Sequence, residues 1–453
     1  MPRTLGTAMD DSVDHQVVAL PCGRFRVLRD DRTIRARGLR YATARRFEPC
    51  VPAPRSDEVV DATMAGPVCP QLPSRLEFVV GPPATVLAQD EDCLVLDVVA
   101  PLPDGTAKPV MVFFHGGAYV TGSGQESIYD MTAMADEGDV VTVTVNYRLG
   151  ILGYLAIDGV APANLGLLDQ IAALRWVKAN VGGFGGDPEN VTIVGQSAGA
   201  DSVSWLMVAD GVEDLFRRTI LQSAPLGVQR GRAAMSRAMG EAARGALGPR
   251  PKTLATQDVL VAQGTVGAAA AAFGTSAQMP FGPQAGRHPL PPEDEVDARR
   301  REVAGRIPVM IGTTTDDARP FVMLNPRMQR LVGAPLVGSR ARRVLGAAAT
   351  ARLFAGPAMA FATQHRLDGG HVTTYVFEWQ PKGSPLGACH CIELPFLMGT
   401  FDAWAQAPML GSDPRQALAE LGPRMRRLWS DFAKGVRDDV DEHLRLPDDL
   451  PSR

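Results

Sequence analysis

Six short apolar or β-branched runs recur along the chain, at Val110 to Phe114, Val140 to Val145, Val191 to Val194, Arg218 to Leu221, Ile307 to Ile311 and His371 to Trp379, with stretches of helical character between them. The alternation predicts an α/β fold built on a mostly parallel sheet with helices on both faces. Pro109-Val110-Met111-Val112-Phe113-Phe114 is apolar without a break, as a strand covered on both sides requires. The beginning reads differently: Gln16 to Leu20 and Phe25 to Ile34 look like hairpin strands turning at Arg29-Asp30-Asp31, which predicts an antiparallel N-terminal edge. From about 230 to 303 the chain is rich in Ala, Gly and Pro, including Ala268-Ala269-Ala270-Ala271-Ala272, and offers helices and loops without a clear strand. Such an insertion above a sheet shapes a substrate pocket. No linker and no internal repeat divides the chain, so residues 1–453 are expected to form a single domain.

Composition narrows the function. With 45% hydrophobic and 21% charged residues the chain has the make-up of a soluble globular protein, and no uncharged run long enough for a membrane span stands out. A net charge of −4 from 46 basic and 50 acidic residues gives no reason to expect nucleic acid or an anionic membrane as partner. Partner choice must come from the site instead, and nothing specifies an oligomeric state. The start, Met1 to Asp11, has no apolar segment of the signal-peptide kind, so a cytoplasmic location is expected. The 6 cysteines, Cys22, Cys50, Cys69, Cys93, Cys389 and Cys391, are too few and scattered for a disulfide scaffold. Cys389-His390-Cys391 has no second cluster to complete a metal site, so no metal is expected.

The candidate chemistry begins at Gly195-Gln196-Ser197-Ala198-Gly199, between the strand Asn190 to Val194 and the helix-compatible run Ala198 to Met207. In a sharp strand-to-helix turn the serine backbone is strained, and glycines two residues to either side avoid collision with the neighbouring chain. The turn lifts the Ser197 hydroxyl clear of the sheet and sets it at a helix N-terminus, where developing negative charge is favoured. The Ala198 amide is the natural first donor to an oxyanion. Gly116 and Gly117, in His115-Gly116-Gly117-Ala118-Tyr119 directly after another strand, allow a second loop to bring amides close to the same oxygen. Alone, either motif also reads as an ordinary glycine turn.

With these two loops, the sequence resembles the type-B carboxylesterase/lipase family, which includes para-nitrobenzyl esterases and cholinesterases. Glu91-Asp92-Cys93-Leu94-Val95-Leu96 resembles the family's EDCLxLN segment and Asn146-Tyr147-Arg148-Leu149-Gly150 its NYRxG segment. Asn164 to Gln170 and Phe184-Gly185-Gly186-Asp187-Pro188 follow in the family's order. The resemblance covers most of the chain and implies an α/β-hydrolase fold, a Ser-acid-His triad, no cofactor and a small ester as substrate. Departures are Gln196 where the family usually has Glu, an aspartate as acid, and a short C-terminal part.

In this fold the triad runs Ser, acid, His along the chain. The strand from Ile307 ends in Thr313-Thr314-Thr315-Asp316-Asp317, which resembles IGTNxDEG and puts Asp317 at the acid position, with Asp316 as rival. Of the later histidines, His365 lies in a helical stretch, His371 opens a strand and His443 sits in an acidic tail. His390 remains, in a segment resembling GxxHxxELxF. The expected mechanism has His390 take the Ser197 proton, Asp317 orient the ring, and the Gly116, Gly117 and Ala198 amides hold the oxyanion. The resemblance further implies that Arg46 pairs with Glu91 and that Cys69 faces Cys93, as two free thiols in a reducing cytosol. Ser202 and Glu393 are candidates to support the triad, with core hydrogen bonding as the plainer reading. Tyr119, the 230–303 insertion and the loop after Asp317 are expected to wall the pocket. The rival functions are a biosynthetic acyl-transfer or ring-closing enzyme on the same serine and a non-catalytic adhesion or scaffold protein.

Overall fold

The computed structural model describes residues 14–83, 85–325, 328, 330, 333–334 and 338–451. The Met1 to Asp11 stretch and part of the loop after Asp317 lie outside the described residues.

Among the described residues, twelve strands make one sheet. They are β1 Asp14–Leu20, β2 Gly23–Arg29, β3 Thr33–Arg40, β4 Val59–Asp61, β5 Val95–Pro101, β6 Lys108–Phe114, β7 Val141–Val145, β8 Gly186–Gln196, β9 Arg218–Gln222, β10 Val309–Thr314, β11 Val372–Phe377 and β12 Glu442–Leu446. Their order is β1-β2-β3-β5-β7-β6-β8-β9-β10-β11-β12, with β4 beside β2. From β7 to β12 neighbours are parallel, and β1, β2, β3 and β5 form the antiparallel edge. The expected mixed architecture is therefore present.

The unbroken apolar run of β6 has a direct cause. Val110, Val112 and Phe114 join one buried cluster with Ile171, Leu174 and Val177 of helix Leu165–Asn180. Met111 and Phe113 join the opposite cluster with Met425, Leu428 and Trp429 of helix Arg415–Ala433. Each strand residue has apolar partners whichever way its side chain points.

Besides the short β4, which pairs with β2, two longer strands escaped the sequence pattern. β5 carries Asp97 in its middle, which interrupts the run; in the fold the carboxylate accepts from the Gly38 amide at 2.8 Å and from Gln125 Nε2 at 2.6 Å, so it is tolerated. β12 is a polar edge strand, and it takes His443 out of the presumed tail: its ring meets the Thr374 hydroxyl at 2.9 Å. The 230–303 segment contains helices Ala233–Leu247, Thr256–Ala269 and Val296–Ala304 and no strand, as expected. Two helical stretches, Thr256–Gln278 and Gly338–Leu367, are long and apolar enough by length and composition to cross a membrane, contrary to the reading of the bare sequence. The first is broken at Phe273 and Gly274, and the second runs through a π turn over Ala351–Ala355, just before Pro357.

Candidate active site

β8 ends at Gln196 and the next helix, α1, spans Ala198–Leu206, so Ser197 alone makes the turn. Its backbone is left-handed, φ 56° and ψ −123°, a conformation that costs on the order of 1–3 kcal/mol and persists only where the surroundings enforce it. They do so from both sides. A Cβ on Gly199 would lie 1.9 Å from the Phe114 carbonyl oxygen, and one on Gly195 would lie 2.3 Å from the Gly199 carbonyl carbon. The Ser197 amide donates to the Gln222 carbonyl at 2.9 Å, and every residue of α1 is buried. The glycines thus do what the motif requires of them.

The loop after β6 comes down on this serine. A Cβ on Gly116 would sit 3.1 Å from Ser197 Cβ, so the Gly116 backbone borders the nucleophile directly. Gly117, Ala118 and Tyr119 follow with φ of 108°, 54° and 61°. Main-chain bonds from Val120 and Thr121 to the Gly117 carbonyl, at 3.0 and 3.1 Å, hold this coil. His115 fixes its start. Burial pushes this imidazole down to about 4, so it is neutral at physiological pH, and Nδ1–H donates to the Gly116 carbonyl at 2.7 Å. The ring stacks on Tyr147 at 4.5 Å, whose hydroxyl donates to the His115 carbonyl at 2.6 Å. Because the peptide is trans, pinning the Gly116 carbonyl turns the Gly117 N–H to the opposite side. Tyr119, expected as a pocket wall, is fully buried, and its hydroxyl donates to Asp201 at 2.7 Å.

The two candidate acids separate cleanly. Asp317 Oδ1 lies 2.5 Å from His390 Nδ1, and Asp317 Oδ2 accepts from the Thr314 amide at 3.2 Å. Asp316 does not touch the histidine. It pairs with Arg319, accepts from the Ala388 amide at 3.2 Å and donates its own amide to the Ala388 carbonyl at 2.8 Å. Asp316 therefore ties the histidine's loop to the end of β10. Gly387 lets it do so: at φ 69°, a Cβ there would stand 2.1 Å from Asp316 Oδ2.

Asp317 and His390 are both 0% exposed. The imidazole is walled by Phe321, edge-on at 5.2 Å, and by Phe354 at 5.3 Å. Phe354 belongs to the π turn over Ala351–Ala355, and irregular turns of this kind recur at functional sites. The second ring nitrogen, Nε2, meets Gln196 Nε2 at 3.3 Å, and among the described residues no hydrogen bond joins it to the Ser197 hydroxyl.

Glu393 lies close by with neither carboxyl oxygen partnered among the described residues. Burial first, and the Asp317 charge second, push it up to about 8, so it is neutral at neutral pH. Ser202 faces the other way and donates to Gln170 Oε1 at 2.7 Å, a core hydrogen bond. Arg46 Nε lies 2.8 Å from Glu91 Oε2, as the resemblance implied. Cys69 and Cys93 are buried and unbridged, and Cys69 Sγ accepts from the Leu149 amide at 3.3 Å. Among the described residues no group of three or more His, Cys, Asp or Glu could hold a metal. His115, Phe321 and Phe354 were not singled out from the sequence; only His115 carried a signal there, its position before the paired glycines.

A mostly parallel sheet, a serine elbow between strand and helix, and a His–Asp pair beside it define an α/β-hydrolase. The model of the "Carboxylesterase family" matches residues 15–337, and the chain belongs to that family. A probable N-octanoylanthranilate hydrolase of Rhodococcus erythropolis is 38% identical over 424 residues, 92% of each chain. The para-nitrobenzyl esterase of Bacillus subtilis is 33% identical over 93% of this chain and 90% of its own. A solved thermophilic PNB esterase superposes with a TM-score of 0.79 at 32% identity, covering 93% of this chain and 91% of that one. The resemblance read from the motifs is borne out, and the protein is a serine hydrolase of carboxylic esters. The acyl-transfer alternative is not favoured by these relatives.

Proposed function

We propose that Ser197, His390 and Asp317 form the catalytic triad and that the Gly116, Gly117 and Ala198 amides form the oxyanion hole. The observation that carries this reading is the convergence of four chain segments on one strained serine: the elbow, the glycine coil against it, and the Asp317–His390 pair at 2.5 Å. Ser197 Oγ attacks the ester carbonyl while His390 Nε2 takes its proton. Asp317, bonded to Nδ1, fixes the tautomer and stabilises the imidazolium that forms. The tetrahedral oxyanion receives the Ala198 and coil amides, helped by the N-terminal dipole of α1. His390 returns the proton to the departing alcohol, and water repeats the sequence on the acyl-serine.

The substrate is a small ester, and the protein acts without metal or cofactor, nucleic acid or membrane. Residues 1–453 form one domain whose 230–303 segment lines the pocket. The free state of Cys22, Cys50, Cys69, Cys93, Cys389 and Cys391 supports a cytoplasmic location. Ser197→Ala should abolish hydrolysis across p-nitrophenyl esters of increasing acyl length while the far-UV spectrum is unchanged. Retained turnover in that variant would place the chemistry elsewhere.

A further inference from the structure

The side chain beside the nucleophile occupies the nitrogen that the nucleophile needs. Since His390 Nδ1 donates to Asp317, Nε2 is left with a single in-plane lone pair. Gln196 Nε2 lies 3.3 Å away, and an amide nitrogen carries protons and no acceptor site, so Gln196 is the donor. The other end of the same amide faces the oxyanion coil: a Cβ on Gly116 would come 2.7 Å from Gln196 Oε1. Gln196 is 1% exposed, so its N–H groups depend on protein partners. Those within reach are the imidazole and the Cys391 thiol, whose ionisation the Gln196 hydrogen bond favours against the much larger effect of burial.

We propose that Gln196 is a positioning residue that holds His390 at rest by donating to Nε2, so that the Ser197 hydroxyl gains this lone pair only when bound substrate displaces the amide. The proposal rests on the triad reading above. Two donors compete for one acceptor. In the resting state the Gln196 N–H has it; in the reactive state the Ser197 O–H has it, and on attack that same proton moves to Nε2. The free enzyme is thereby stabilised relative to its substrate complex, and part of the binding energy goes into breaking the contact. A glutamate, which the resembling family usually carries here, has no amide N–H, so this lock belongs to the glutamine.

Two measurements test it on the full chain. Gln196→Met keeps length and removes the donor, and Gln196→Leu removes it with a branched apolar chain. Each should lower KM for a p-nitrophenyl ester about fivefold, the worth of one net hydrogen bond, with kcat unchanged. A role in packing alone would instead lower kcat or raise KM, and an unchanged or raised KM in both variants overturns the proposal. Nitrogen-15 NMR of the parent labelled at histidine reads the contact without any variant. The His390 Nε2 resonance should lie on the hydrogen-bonded side of a free acceptor and, when a substrate analogue binds, shift while staying on that side as the donor changes from amide to hydroxyl; a free-acceptor position in the resting enzyme overturns the proposal too. Should the parent show no Ser197-dependent turnover, the triad reading fails, while the NMR still reports whether the amide occupies the nitrogen.

Discussion

At the scale of single residues, neighbouring carboxylates divide two tasks. Asp317 serves the imidazole and Asp316 the loop that carries it. Burial lifts the Asp316 carboxyl above its ordinary range even though Arg319 pulls the other way, so this pair is held at a desolvation cost and is sensitive to losing a member. Asp317→Asn should lower kcat by roughly 10⁴-fold with little change in melting temperature, because the ring loses its tautomer and the imidazolium its counter-charge. Asp316→Asn should do the reverse, lowering the melting temperature while kcat of the folded protein falls less than about tenfold. Kinetics and thermal melts of both variants decide it; a larger kcat loss at Asp316 would contradict this division. The sequence left the two residues as rivals because they are adjacent in one motif. Only the chain path after β10 shows which side chain faces residue 390 and which faces residue 388.

At the scale of elements, the elbow is the unit that the sequence rendered most legibly. Gly195, Ser197 and Gly199 fall at the join of β8 and α1, and steric contact alone demands both glycines. Gly199→Ala should destabilise the fold by about 3 kcal/mol or more, since the added methyl meets the β6 main chain rather than a yielding side chain. Urea denaturation measures this, and a loss below about 1 kcal/mol would mean that the two elements part easily. The parallel strands were legible for the same local reason, as apolar runs. β5 was hidden by Asp97, whose three partners Gly38, Arg37 and Gln125 lie far from it in sequence. Phe321 and Phe354 were hidden because their elements, helix Arg319–Leu324 and the π turn, reach His390 only through tertiary packing.

At the scale of the whole molecule, the site stands at the C-terminal ends of β6, β8 and β10, and apolar clusters on the two sheet faces hold those strands in place. That burial also traps Glu393. Its folded value of about 8 lies above the ordinary 4.5, so between these limits the native protein keeps a proton that the unfolded chain releases. Stability should therefore fall as pH rises from 4.5 towards 8, by on the order of a few kcal/mol in total from this group. Glu393→Gln removes the proton from the balance. Its melting temperature should pull further above that of the parent from pH 5 to pH 8, and a constant gap would show that Glu393 is ionised in the fold.

The central claim is that acyl transfer passes through Ser197. Reaction with a fluorophosphonate, followed by peptide mapping by mass spectrometry, reads this most directly. The account predicts a single adduct on the peptide containing Gly195 to Gly199, located on Ser197 and lost in His390→Ala; an adduct on any other residue, or one indifferent to His390, would contradict it.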